Sequence, residues 1–174
     1  MVFPTIAHGA VAASPLWAGA LRSEAQRDEL PVFSPLLRDE RFALGLETIY
    51  EGYLLHYGRS RLFAPADGDV ALLLGDTLLA HGLIRIADTG SVAAIADLAQ
   101  LLALCAQGRA DGRDSDSAAW AATAACLAQG MLDEPRAALR DEGDAEPLAR
   151  VAVDAVGESA IQDALAAHRS CVAT

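Results

Sequence analysis

The sequence predicts an all-α protein, a helical bundle around one hydrophobic core. No stretch alternates apolar and polar residues with period two, so no half-buried strand is expected. Alanine is abundant and aromatic residues make up only 5% of the chain. That is a composition of good helix formers whose small side chains let helices approach closely. Ser-Pro pairs and glycines punctuate the chain at helical intervals, the former as N-caps with proline at the first helical position, the latter as C-terminal stops.

Residues 1–13 carry Pro4 and Gly9 and are expected to form an irregular N-terminal arm, residues 14–168 a single helical domain, and residues 169–174 a frayed tail. Ser14-Pro15 opens a first helix that runs to about Glu29, and Pro31 stops it. Ser34-Pro35 opens a longer helix reaching Tyr57, followed by a loop from Gly58. A third helix spans about Asp69 to Asp88, closed by Thr89-Gly90, and Ser91 caps a fourth that continues to about Gln107. The polar run after it is a loop. A fifth helix covers Ser117 to Leu132, Asp133-Glu134-Pro135 breaks it, and a short piece follows at Arg136–Arg140. A last helix spans Glu146 to His168.

The third helix is apolar on two sides, with Leu72, Leu79, Leu83 and Ile86 on one stripe and Val70, Leu74 and Leu78 on another. Such a helix is central to a bundle or turns its spare face to another chain. Gly75 and Gly82 within it are costly unless another backbone packs closely there.

At 174 residues and 53% hydrophobic, the chain can bury a sizeable core, and composition excludes intrinsic disorder. The net charge is −11 and all 13 basic residues are arginine. An acidic chain is a poor match for a phosphate backbone, so no nucleic-acid partner is expected. Chemistry requiring a lysine amine is excluded outright. No uninterrupted apolar run reaches the ~18 residues of a spanning helix, so no transmembrane segment is expected. Cys105, Cys126 and Cys171 share no metal-binding spacing, and their odd count points to reduced thiols in a cytoplasmic compartment. The N-terminus lacks the positive charge that begins a secretory signal.

Glu47 and Glu51 lie one helical turn apart. A di-iron bundle needs Glu-x-x-His motifs, which are missing, so the two read as a solvated or interface carboxylate pair. Asp76 and His81 fall inside the most apolar helix, where Asp76 would need a neighbouring helix or an arginine to satisfy it. Asp111, Asp114 and Asp116 read as a plain solvated loop without EF-hand spacing. His8, His56, His81 and His168 are isolated from one another, and neither a nucleophile elbow nor a P-loop is present. No metal site and no cofactor are expected.

One stretch resembles a known family. ALGLETIYEGYLLHYGRSRLF, Ala43 to Phe63, is similar to the helix of trans-polyprenyl diphosphate synthases that leads into their first aspartate-rich motif. Glu47, Ile49, Leu54, Leu55 and His56 fall at matching places. DVALLLGDTLLAHGL, from Asp69, resembles the family's Gly-Asp helix with Gly75-Asp76 as the matched pair. SVAAIADLAQLLALCAQGRADG, from Ser91, resembles the helix after it. WAATAACLAQG, from Trp120, resembles the segment that normally contains Lys-Thr. The four pieces occur in the family's order over Ala43 to Gly130.

The departures from the pattern fall on the chemistry. In the first motif, His56 is followed by Tyr57, Gly58 and Arg61 where three aspartates stand in the family. Ala122 replaces the lysine before Thr123. If Gln162 is matched to the second motif, Leu165, Ala166 and Arg169 occupy its metal-binding positions. The resemblance therefore implies a truncated isoprenoid (terpenoid) synthase fold that does not catalyse, since hard magnesium ions need carboxylate oxygens. It further implies an accessory subunit pairing with a catalytic polyprenyl synthase, with itself or within a larger complex. By the same resemblance Gly75, Asp76, Leu79, Gly82 and Leu83 form the interface, and Tyr53, beside Tyr50, walls a product tunnel. An alternative keeps the apolar cup as an isoprenoid- or quinone-binding or purely structural subunit, with Tyr50, His56 and Tyr57 at the ligand's head. Either form is expected in the cytoplasm, or peripheral to the inner face of the membrane through a partner.

Overall fold

A computed structural model describes residues 1–113 and 115–172. Eight α-helices carry the fold, joined by short 3-10 turns, and the described residues contain no strand. The helices are α1 (Val2–Ala13), α2 (Ala43–Tyr57), α3 (Gly68–Ala87), α4 (Val92–Ala110), α5 (Asp116–Ala125), the short α6 (Asp133–Ala137), α7 (Glu146–Val156) and α8 (Glu158–Val172). A π-type turn, Ala138–Glu142, follows α6.

α2 is the axis of the molecule. Every residue from Gly45 to Leu54 is buried. On one side it meets the larger core, built from Phe33, Trp120, Leu98, Leu148, Ile161 and their neighbours. On the other it meets a smaller cluster in which Phe3, Ile6 and Trp17 pack against Phe63, Leu74 and Leu78.

α2 and α3 cross as antiparallel neighbours on glycines seven residues apart in each helix. Gly45 faces Gly82 and Gly52 faces Gly75. A Cβ on Gly52 would stand 2.8 Å from the Gly75 carbonyl oxygen, and one on Gly82 would stand 2.3 Å from Ile49 Cγ1. The close packing anticipated for the glycine-bearing helix is therefore real, but the backbone it meets belongs to the same chain.

Helices begin where side chains cap them. Asp67 accepts from the Val70 amide at 2.8 Å to start α3, and Ser91 accepts from the Ala94 amide at 3.2 Å to start α4. Elsewhere the chain departs from expectation. The N-terminal residues are a helix and no irregular arm: Phe3, Ile6, Ala7 and Ala10 form one buried face at helical spacing, and Pro4 sits in the first turn, where a missing amide costs nothing. The helix expected from Pro15 to Glu29 is instead two 3-10 turns, Pro15–Ala18 and Glu24–Gln26. The polar run from Arg22 to Glu29 has no apolar face to bury, and Leu21 pairs in a lone antiparallel bridge with Phe63. Ser34-Pro35 opens only one turn. A second turn, Glu40–Phe42, precedes α2 and is started by Asp39, which accepts from the Arg41 amide.

α5 ends at Ala125 rather than Leu132, and Ala128 (φ 64°) and Gly130 (φ 67°) then turn the chain. The last expected helix is two helices divided at Gly157, whose φ of +88° favours glycine. α8 extends to Val172, so residues 169–172 are not frayed: Cys171 is buried and its carbonyl accepts from the Arg59 amide at 2.8 Å. Residues 173–174 of the expected tail, and Asp114, lie outside the described residues.

By length and composition both α3 and α4 meet the requirement of a membrane-crossing helix, which a count of uninterrupted apolar runs misses. Core helices of water-soluble proteins meet the same test. Only 28% of the α3 window and 39% of the α4 window are buried within the chain. The two longest helices thus keep much of their surface outward.

Candidate functional site

Arg61 is 1% exposed, between Glu47 and Glu51, both at 0%. Its Nε donates to Glu51 Oε1 at 2.6 Å, one terminal nitrogen to Glu47 Oε2 at 2.8 Å and the other to the Leu30 carbonyl at 2.8 Å. The remaining carboxylate oxygens are also used. Glu47 Oε1 accepts from the Val32 and Ser34 amides at 3.2 and 3.0 Å, and Glu51 Oε2 accepts from the Ser60 hydroxyl at 2.6 Å. The guanidinium also lies 4.8 and 4.9 Å from the ring centres of Phe3 and Tyr50. Burial alone would favour neutral arginine, but the two carboxylates outweigh it and hold the Arg61 pKa above its ordinary value.

This cluster corrects the reading of Glu47 and Glu51 as a solvated or interface pair. They are fully buried, and their role is structural: one guanidinium ties the 30–34 and 60–63 segments to α2. Gly58 is also in tight packing, since a Cβ there would lie 2.7 Å from the Cys171 carbonyl oxygen.

A second buried pair joins α4 to α6. Arg136 donates to Asp97 Oδ1 at 2.7 Å, and Asp97 Oδ2 accepts from the Ala128 amide at 2.8 Å, fixing the turn after α5. Nothing local in the sequence signals this pair, which spans 39 positions.

One face of α2 supplies an aromatic cluster. Tyr50 and Tyr53 pack with Phe33, Trp120 and His168, and the Tyr50 hydroxyl lies 2.8 Å from His168 Nδ1. Tyr50 is 0% exposed and packs within the larger core. The Tyr53 hydroxyl donates to Asp116 Oδ2 at 2.6 Å and accepts from Arg109 at 2.9 Å, while Arg109 Nε donates to the same Asp116 oxygen at 2.7 Å. Burial raises the pKa of both tyrosines well above the ordinary phenol range, with the Asp116 carboxylate adding to it at Tyr53. Asp116 is thus buried on α5 and corrects the reading of the aspartate loop as wholly solvated. Asp111 remains exposed, 3.5 Å from Arg113.

Beside Tyr53 the splaying of α3 and α4 leaves a cleft of 230 Å³. Tyr53, His56 and Tyr57 of α2 line it, facing Asp76 and Leu79 of α3 and Leu102 of α4. Asp76 is exposed rather than buried. His56 Nε2 stands 3.2 Å from Asp76 Oδ1, an ion-pair distance without hydrogen-bond alignment. The imidazole fits against α3 because Gly75 has no side chain: a Cβ there would be 2.6 Å from Nε2. The cleft is smaller than the ~300–1,000 Å³ of a drug-sized ligand site, and an extended isoprenoid tail would overrun it. His81, half-buried on α3, does not line it.

The expected interface divides. Gly75 and Gly82 are buried against α2, which corrects their assignment to a surface between chains. Leu79 and Leu83 are half-buried against the core, leaving Asp76 as the exposed member. The large exposed hydrophobics of α3 are instead Leu72, Leu73 and Ile84, at 53%, 57% and 58% exposure, beside the exposed Asp69 and Asp76, and Val92 opens α4 at 77%. From Ser91 to Gln107 the one charged side chain is Asp97, which is turned inward.

Cys105, Cys126 and Cys171 are buried and unbridged, and burial raises the pKa of the Cys105 and Cys126 thiols. Among the described residues, no three His, Cys, Asp or Glu side chains are grouped so as to hold a metal ion. The fold and these sites define a helical protein that buries Glu47, Glu51, Arg61, Asp97, Asp116 and Arg136 in its own core. No family model, no curated protein and no solved structure matches the chain.

Proposed function

We propose that this chain is a non-catalytic accessory subunit that docks onto a helical partner through the outward face of α3 and α4. The observation that carries the reading is that face: Leu72, Leu73, Ile84 and Val92 are exposed, and from Ser91 to Gln107 α4 presents no outward charge, in a protein that is 21% charged. Large apolar side chains left exposed together are the usual mark of a binding surface. Full burial of such a side chain is worth about 1.5–3 kcal/mol, and with 53–77% of each still exposed a partner would gain a little over half of that. The partner suggested by the collinear likeness is a catalytic polyprenyl diphosphate synthase. Two of the positions where that family places metal-binding aspartates serve packing here, Arg61 by its ion cluster and Gly58 by its closeness to α8, which supports a subunit that binds rather than turns over.

The test is co-expression with the polyprenyl synthase of the same cell, followed by purification and light scattering. A stoichiometric complex with raised synthase turnover is expected, and Leu73→Arg with Ile84→Arg should abolish it while leaving helical content intact. A synthase that is fully active and never associates refutes the proposed partner. Unchanged association of the double variant refutes the proposed surface.

A further inference from the structure

We propose that the cleft between α2, α3 and α4 is a binding site for a small organic cation of the alkylammonium type. Three aromatic rings, Tyr53, His56 and Tyr57, line its α2 side. The electron-rich face of a tyrosine ring attracts a cation within ~6 Å of the centroid, by about 0.5–1 kcal/mol when exposed and ~2 kcal/mol when desolvated. The wall already seats one: the Arg109 guanidinium lies 5.4 Å from the Tyr57 ring centre. That charge is matched by Asp116, whose Oδ2 is 2.7 Å away. The Asp76 carboxylate, whose side chain is 66% exposed, has among the described residues only the imidazole of His56 beside it. The local balance therefore leaves a carboxylate at the rim of an aromatic wall, and the protein as a whole carries −11. A field of that sign draws cations in and turns anions away.

Size and lining narrow the class. A volume of 230 Å³ holds about seven or eight water-sized groups at ~30 Å³ each, which suits a trimethylammonium head with a short arm. Leu79 and Leu102 give the methyl groups an apolar surface opposite the rings. Strongly hydrated metal cations gain little from such a lining, since they require several oxygen ligands. This inference does not rest on the partner surface, although Asp76 stands one helical turn from Leu72 on the exposed side of α3.

Choline is the probe, and its neutral carbon isostere, with tert-butyl in place of trimethylammonium, is the control. Saturation-transfer NMR and calorimetry on the intact chain should show choline binding roughly thirtyfold tighter than the isostere, the difference a desolvated cation–π contact makes. Asp76→Asn, a change at an exposed side chain, should weaken choline roughly fivefold, as an exposed ion pair allows, and leave the isostere unchanged. Tyr57→Leu should remove the preference for choline over the isostere. Equal binding of choline and isostere would overturn the proposal, because the cleft would then be merely apolar. So would the absence of saturable choline binding, or choline binding indifferent to Asp76→Asn.

Discussion

Replacing Arg61 by methionine removes one cation from between two carboxylates that water does not reach. The variant loses charge-assisted hydrogen bonds to Glu47 and Glu51 and a third bond to the Leu30 carbonyl. Breaking a buried ion pair by deleting one partner costs about 3–5 kcal/mol, because the remaining charge stays buried and unpaired. Here a single guanidinium serves two carboxylates, which places the cost at the upper end of that range. Domain stability is itself only ~5–15 kcal/mol, so Arg61→Met should be marginally folded at neutral pH. Urea unfolding followed by circular dichroism reads the loss. The pH dependence is diagnostic. In the variant, a carboxyl buried without its cation holds a proton more tightly in the native than in the unfolded chain. The native state then binds more protons, and stability falls as pH rises. The deficit relative to the parent should accordingly shrink on acidification. Arg61→Lys keeps a charge but not the planar fork, and should fall between the two. A loss below ~1 kcal/mol, the scale of an exposed ion pair, or a deficit independent of pH would refute the account of this cluster.

Gly82→Ala forces a methyl to within 2.3 Å of Ile49 Cγ1 and should cost about 1–3 kcal/mol by overpacking. Gly68→Ala, with no neighbour within 4 Å of its added Cβ, should be neutral or mildly stabilising; equal melting temperatures for the two variants would contradict the glycine crossing. Tyr50 and Tyr53 keep their protons in the folded protein far above the ordinary tyrosine value. Their burial therefore stabilises fully below ~10 and is lost as pH climbs past it, by about 1.4 kcal/mol per pH unit for each. Phenolate absorbance should show these two tyrosines ionising only with alkaline unfolding, and early ionisation of all three would contradict their placement.

Much of the fold is legible locally. α3 and α4 begin and end within a few residues of the expected bounds because Asp67 and Ser91 cap them with bonds that span three positions. α1 is equally written in the chain: Phe3, Ile6, Ala7 and Ala10 are a helical stripe, and Pro4 in the first turn does not break it. The Pro15–Glu29 segment is the reverse case, where a sound start signal at Ser14 leads into a run with no apolar face to bury. The candidate site was legible only in part. Tyr53, His56, Tyr57 and Asp76 were singled out by position, but not as members of one cleft. Arg109 and Asp116 carry no sequence signal linking them to Tyr53.

The sequence by itself determined the helical class, the principal caps, the need for a close backbone neighbour at Gly75 and Gly82, and the acidic, lysine-free surface. These follow from hydrogen bonds and periodicities that act within a turn or two of the chain. Only the tertiary structure decided that α2 is that neighbour, that Glu47 and Glu51 are buried around Arg61, and that Leu73 and Ile84 form the outward face. The physical reason is that burial and ion pairing depend on which surfaces meet in space. Residues as far apart as Tyr50 and His168 become partners only when the helices between them have packed.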